Sequence, residues 1–324
     1  MRTIRVHATG GPEVLRYEEV AEPKPGAGHA VVRIEAAGVN YIDTYQRSGL
    51  YRLAPPFTLG QEGAGTVAAV GPDVTDVKPG DRVAWTGVQG SYAEFVLAPA
   101  DRLVAIPTEL ETAQAAAAML QGMTAHYLAS TTFPLTGGHS CLVHAAAGGV
   151  GLLLVQIAKL RGARVFGTVS TEAKGRLARA AGADHVIRYT EQDFETEIRR
   201  LTDGRGVDVV YDSVGQTTFE RSLNCLTRRG MLVLFGQSSG PVPPLDPQVL
   251  NRKGSLFLTR PSLAHYTATR PELSQRAGDV LGWIGQGKLT LHVHARYPLA
   301  RAADAHRDLE GRKTAGKLLL IPGD

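Results

Sequence analysis

The chain holds two cysteines in 324 residues. Cys141 lies in an apolar, strand-like run and Cys225 in a helical pattern, so neither a disulfide framework nor a cysteine-ligated metal organises this protein. Two reduced, buried thiols are expected instead. Long apolar runs are also missing. The run Leu152–Val155 is interrupted by Gln156 and Lys159, far short of the ~20 residues that cross a bilayer. Residues Met1–Val6 alternate polar and apolar like a strand, with no apolar signal-peptide core behind them. A soluble, cytoplasmic protein with no membrane partner is expected. Aromatic residues make up only 6%, and the 35 Lys and Arg against 31 Asp and Glu are scattered, with Arg199-Arg200 flanked by acids. Nucleic acid binding, which calls for a basic stripe with exposed stacking aromatics, is therefore disfavoured. The small positive excess suits an anionic small molecule.

What is present falls into two textures. Over the first 120 residues, short strands such as Ala30–Ala36, Gly63–Gly71 and Pro79–Trp85 are separated by closely spaced Gly and Pro, the pattern of a β-rich, barrel-like unit. Glu111–Leu128 is Ala-rich and helical. From Ser140 onward strands alternate with amphipathic helices through MLVLFG, ending at Gly236. That alternation predicts an α/β fold, a Rossmann-type doubly wound parallel sheet. A strand over Ser255–Thr259, a helix around Glu272–Gln286 and strands over Thr290–His294 and Lys317–Ile321 follow. These last segments resemble the first unit. The organisation expected is a catalytic domain in two pieces, 1–121 and 264–324, around a nucleotide-binding domain, 122–263, with the active site in the cleft between them.

The loop AAAGGVG, Ala145–Gly151, nearly matches the dinucleotide-binding pattern G-x-G-x-x-G, with Ala146 in the first glycine position. Gly148 fits the role of letting the backbone approach a pyrophosphate, and Gly151 that of close helix–sheet packing. Gly149 adds a further position without Cβ, and Ala146 is acceptable if its φ stays negative. A helix over 150–161 would direct its N-terminal N–H groups at the phosphates, through Gly148, Gly149 and Val150. The next strand, ARVFGTVS, ends in Ser170, where an NAD enzyme carries an acid for the ribose 2′-hydroxyl. Glu172, two residues on, is an alternative acid, but one that starts a helix and so faces solvent. Lys174, one helical turn from Ser170, brings an ammonium beside the hydroxyl. Ser170 with Lys174 suits a 2′-phosphate, and NADPH is expected over NADH.

The stretch Gly138–Gly151 with Gln156 and Lys159 resembles the quinone oxidoreductases of the zeta-crystallin type, in the zinc-independent branch of the medium-chain dehydrogenase/reductase superfamily. The likeness extends over GGPEVL (Gly10–Leu15), GVNYIDTYQRSGLY (Gly38–Tyr51), YDSVG (Tyr211–Gly215) and TRPSL (Thr259–Leu263). It implies a GroES-like catalytic domain beside the Rossmann domain, NADPH as cofactor, a quinone as substrate, and a homodimer joined through a Rossmann edge strand, here Ser255–Thr259. Zinc-containing relatives carry a Cys in the segment matching GVNYIDTY and a His in a Gly-His-Glu motif. Here Asn40 and Gln61 stand there, and neutral amides are poor zinc ligands, so no metal is expected. Glu62 is expected to stabilise a turn by hydrogen bonding.

The resemblance also places Asn40, Tyr41, Tyr45 and Gln61 around the nicotinamide and the acceptor. Tyr45 is the first choice of hydrogen-bond donor, Asn40 orients the nicotinamide region, and Asp43 orders the loop. Thr124 approaches the nicotinamide side, and Phe235, Gly236 and Ser238 form the loop after the MLVLFG strand. For the 2′-phosphate, the family's lysine, tyrosine and arginine correspond to Lys174, Tyr189 and Arg312. Gln61 stands where close relatives often carry Thr, which leaves the acceptor open. A reductase of α,β-unsaturated carbonyls is the second enzyme reading, and a crystallin-like or RNA-binding role the reading of another class.

Overall fold

Short β-branched runs punctuated by Gly and Pro fold as strands in the first hundred residues. A computed structural model, which describes residues 1–323, contains there β1 (Arg2–Val6), β2 (Leu15–Glu19), β3 (His29–Val39), β4 (Phe57–Thr58), β5 (Glu62–Val70), β6 (Arg82–Thr86), β7 (Phe95–Pro99) and β8 (Val104–Ala105). Helix α1 (Tyr41–Ser48) follows β3 directly and stops at Gly49, whose φ of 85° supplies the left-handed cap. The alanine-rich segment forms α2 (Thr112–Tyr127), which runs on into a π-helical turn over Leu128–Thr132.

Alternation then begins: β9 (Ser140–Val143), α3 (Gly149–Leu160), β10 (Arg164–Val169), α4 (Glu172–Ala180), β11 (His185–Arg188), α5 (Phe194–Leu201), β12 (Val207–Asp212), α6 (Phe219–Asn224), β13 (Leu226–Leu234), α7 (Gln248–Arg252), β14 (Phe257–Thr259) and α8 (Leu263–Tyr266). The chain closes with α9 (Arg270–Gly285), β15 (Val293–Pro298), α10 (Ala302–Glu310) and β16 (Lys317–Ile321).

Two units result. Met1–Met123 and the chain from Thr267 onward form one, and Thr124–Tyr266 the other. In the first, β16 lies between β15 and β3 in a seven-stranded sheet, so the last strand completes a sheet begun by the third. Its register sets Leu318 opposite Val39, and β5 sets Gly63 opposite Ala37. The ends of three strands thereby bring Asn40, Glu62 and Lys317 together. Ile4, Val32, Trp85, Tyr92, Leu103 and Leu320 are buried in the core beneath.

In the second unit six parallel strands take the order β11-β10-β9-β12-β13-β14, the third, second, first, fourth, fifth and sixth of the unit. This is the doubly wound nucleotide-binding order. All four residues of β9 are buried, as expected of a central parallel strand covered on both faces. Strand β14 is one edge of the sheet and β11 the other.

Two strands differ from expectation. The segment Ser255–Thr259 pairs only from Phe257, because Ser255 has a φ of 56°, outside the extended region. The strand expected over Thr290–His294 starts at Val293 and runs to Pro298. Its alternating pattern fits several frames, and the parallel partner Lys317, opposite Val293, sets the one observed. No helix among the described residues is long and apolar enough to cross a membrane.

Candidate functional site

The glycine-rich loop is held between neighbouring strands, since His144 N–H donates to the Tyr211 carbonyl of β12 and Ala146 N–H to the Thr168 carbonyl of β10. Ala146 keeps a negative φ; the left-handed residue is Ala145, at 51°. Its carbonyl accepts the Gly148 N–H at 2.8 Å. A Cβ on Gly151 would lie 2.3 Å from that same carbonyl, so Gly151 does serve close packing. The alanine in place of a turn glycine has a partner. A Cβ on Gly167 of β10 would meet the Ala146 methyl at 2.7 Å, so the missing glycine has moved to the adjacent strand. Helix α3 starts at Gly149, and the first N–H groups of a helix have no acceptor within it. With the positive end of the helix dipole, such groups at Gly149 and Val150 favour an anion, while the Gly148 N–H is already given to Ala145.

Beneath this loop lies a buried network that sequence reasoning did not single out. His144 meets the Thr168 hydroxyl through Nδ1 and the Ser222 hydroxyl through Nε2, both at 3.0 Å. Ser222 donates to Asp212, whose carboxylate also accepts the Val214 and Gly215 N–H groups and the Thr218 hydroxyl. Burial pushes His144 below the ordinary imidazole value, which favours the neutral ring. The network stiffens the turn after β12, and the loop with Phe235, Gly236 and Ser238 packs on it. Phe235 N–H donates to the Asp212 carbonyl and Ser238 N–H to that of Ser213, while a Cβ on Gly236 would lie 2.6 Å from the Ser213 oxygen.

At the carboxyl end of β10, Ser170 accepts the Thr190 hydroxyl at its carbonyl, and Tyr189 N–H donates to Val169. Lys174 sits in the first turn of α4, where its N–H reaches the capping Thr171 hydroxyl. Ser170, Lys174 and Tyr189 are thus gathered at the ends of two paired strands. The Glu172 carboxylate is engaged elsewhere, with Arg179 at 2.8 Å and Arg188 at 3.7 Å. The Arg179 hydrogen bond holds that carboxyl below its usual range. Thr124, on α2, is buried at the start of this unit. Arg312 belongs to the other unit, in a left-handed turn after α10 with φ 55°.

In the first unit, α1 carries Tyr41 and Tyr45. Their ring centroids lie 6.1 Å apart, and Tyr45 meets Tyr51 edge-on at 5.3 Å. The Tyr41 hydroxyl donates to the Leu309 carbonyl at 3.1 Å. On the inner face of α1 a chain of polar groups runs inward from the exposed Glu310 to buried Arg47, His306, Tyr92 and Asp43. Arg47 pairs with Glu310 through both terminal nitrogens and donates to His306 Nδ1 at 3.1 Å. Arginine only donates, so Nδ1 is an acceptor and the proton sits on Nε2, which meets Tyr92 Oη at 3.1 Å. Tyr92 in turn donates to Asp43 at 3.0 Å. All the donors point one way, from Arg47 to Asp43. Burial nevertheless dominates at both ends of the His306–Asp43 segment, raising Asp43 to about 7 and lowering His306 to about 3.

Glu62 differs from its expected part. Glu62 starts β5, is fully buried, and does more than stabilise a turn: it bonds Lys317, the Asn40 amide and the Leu120 N–H. Asn40 Oδ1 accepts from Lys317 at 3.0 Å and Gln121 at 3.1 Å, while Nδ2 donates to Glu62 at 2.8 Å and to the Gly38 carbonyl at 3.4 Å. Gln61 Nε2 and Gln46 Nε2 both donate to Gln89 Oε1, whose own amide nitrogen is anchored on the Thr58 carbonyl. Lys317, Gln89 and Gln121 were not singled out from the sequence. Only strand register brings Lys317 to Asn40.

These donors do not fit a zinc ion. The two amides are poor ligands, the adjacent carboxylate is bonded to an ammonium, and no three His, Cys, Asp or Glu side chains among the described residues are grouped as ligands would be.

Comparison with known proteins agrees with this architecture. Residues 26–108 match the alcohol dehydrogenase GroES-like domain, and residues 149–275 match the family described as zinc-binding dehydrogenase. A quinone oxidoreductase of Pseudomonas aeruginosa is 46% identical, covering 99% of both chains. A 2-haloacrylate reductase of a Burkholderia species is 42% identical over 98% of both. The crystal structure of Escherichia coli quinone oxidoreductase complexed with NADPH superposes with a TM-score of 0.97 at 44% identity, over 99% of this chain and 100% of that one. With a GroES-like domain, a doubly wound sheet and full-length identity at this level, the chain belongs to the quinone oxidoreductase family of the medium-chain dehydrogenase/reductase superfamily.

Proposed function

We propose that this protein reduces quinones at the expense of NADPH, without a metal. Bound NADPH supplies the reducing hydride or electrons. The observation that carries the reading is the ribose end of the nucleotide loop. Ser170 stands where an NAD enzyme has an acid, Lys174 and Tyr189 flank it, and the Glu172 carboxylate is paired with Arg179 and Arg188. A phosphate dianion there is attracted by an ammonium and hydroxyls. The NADPH complex of the E. coli relative supports the same cofactor.

In this reading Gly149 and Val150 receive the pyrophosphate on backbone N–H groups, Gly148 lets the backbone approach it by lacking a side chain, and Arg312 adds its guanidinium to the 2′-phosphate. Thr124, Tyr41, Phe235, Gly236 and Ser238 bound the rest of the cofactor. Tyr45 donates a hydrogen bond to the acceptor oxygen as negative charge develops on it. Gln61 lines the acceptor side. Asn40 acts by orientation, because its amide is fully engaged within the protein. Two copies pair through β14, whose Phe257 is 57% exposed at an open sheet edge.

The Burkholderia relative, named for reducing 2-haloacrylate, favours a second reading, reduction of a double bond conjugated to a carbonyl. Parallel NADPH oxidation assays with 1,4-benzoquinone, 9,10-phenanthrenequinone and a simple enone separate the two. Turnover of the quinones is expected; turnover of the enone alone would replace the first reading with the second.

A further inference from the structure

Nothing in quinone reduction calls directly for the charged pair sealed below α1. Glu62 and Lys317 are bonded to one another with 0% and 3% of their side chains exposed. Such a pair generally stabilises a fold no better than apolar residues of the same volume. Its place is nonetheless prepared: a Cβ on Gly38 of β3 would lie 2.1 Å from Glu62 Oε2 and 2.7 Å from Lys317 Nζ. The strand ends of β3, β5 and β16 all converge on it.

What the pair touches is the Asn40 amide. The ammonium faces the amide oxygen and the carboxylate faces the amide nitrogen, while Glu62 Oε1 also accepts the Leu120 N–H of α2 at 2.6 Å. An amide oxygen and nitrogen differ little in shape, so an apolar setting leaves the group free to face either way. Opposite charges on its two sides do not. Asn40 is also the residue that begins α1, its N–H donating to Asp43 at 2.8 Å.

We infer that Lys317 and Glu62 are positioning residues of the reductase, fixing the Asn40 amide in one orientation and, through it, the start of the helix that carries Tyr41 and Tyr45. The inference rests on the function proposed above.

The test uses the double variant E62Q/K317M, which removes both charges at similar volume and leaves no lone buried charge, alongside Gln121→Leu, which removes one donor to Asn40 and keeps the ion pair. The double variant is expected to melt close to the parent and bind NADPH within about threefold of it by fluorescence titration, yet to lose about tenfold or more in kcat with 1,4-benzoquinone. Its Asn40 side-chain amide protons, followed by NMR, should exchange faster than the parent's. Gln121→Leu should lose about threefold in kcat.

Recovery of parental kcat together with parental stability in the double variant, or Asn40 protons that stay protected, would overturn the inference. If the double variant does not fold, parental kcat with protected Asn40 protons in the isosteric Glu62→Gln variant would overturn it equally. A parent that turns over no quinone would instead count against the proposed function, and the Asn40 exchange rates would then decide the role of the pair alone.

Discussion

The Asn40 amide has two protons to give and two lone pairs to fill, and all four are used inside the protein. A residue placed by family resemblance beside the nicotinamide is thus already committed, and its influence runs through orientation. Lys174 is different, because its proposed partner is a phosphate. Lys174→Ala should raise the KM for NADPH about tenfold, the scale of one charge-assisted hydrogen bond, and leave the KM for NADH unchanged. Steady-state kinetics with both cofactors checks this, and equal effects on the two would show that Lys174 does not meet the phosphate. Residues whose proposed roles are local could be singled out from the sequence, since Gly148, Gly151, Ser170 and Lys174 lie in or near one loop-and-strand unit. Lys317 was not, since it lies 255 positions from Glu62 and looks like any other strand lysine until the sheet pairs.

At the scale of the element, α1 is held at its start by Asn40 and on its inner face by the chain from Arg47 through His306 and Tyr92 to Asp43. Burial pushes the Tyr92 phenol well above its ordinary value, and the two groups beside it, Asp43 and His306, are shifted in opposite senses. Burial raises Asp43 from 3.8 to about 7, against the lowering influence of the Asn40 N–H, Tyr92 and Lys317 and with that of Glu62. Burial, helped by the nearby Arg47 charge, lowers His306 from 6.5 to about 3. Between 3.8 and about 7 the native state holds one proton more at Asp43 than the unfolded chain, so this group makes stability fall as pH rises. Between about 3 and 6.5 it holds one fewer at His306, so that group makes stability fall as pH drops. In the overlap the two slopes, each about 1.4 kcal/mol per pH unit, cancel. Asp43→Asn should expose the histidine slope, so that acidification from 6.5 to 3.8 costs the variant about 1.4 kcal/mol per pH unit more than the parent, measured by urea unfolding across that range. Parallel curves would contradict the assignment. Of this chain the sequence singled out only Asp43; His306 is there one polar residue on an amphipathic helix, and Tyr92 stands alone after a glycine turn.

The whole molecule was the most legible level. Strand–helix alternation from Ser140 marked the doubly wound sheet, and the Gly- and Pro-rich opening marked the β-rich unit, because both patterns repeat over many residues and average out local ambiguity. The return of the chain to the first sheet was legible only as a likeness of texture; that β16 lies against β3 was not, since antiparallel pairing across the full chain length leaves no local signal. On this frame, we propose, the nucleotide unit selects a 2′-phosphorylated cofactor for the reduction of quinones. The most direct test of this selection is a paired titration of NADPH and NADH against saturating 1,4-benzoquinone. A kcat/KM for NADPH at least about tenfold above that for NADH is expected from the added phosphate contacts. Equal values, or a preference for NADH, would contradict it.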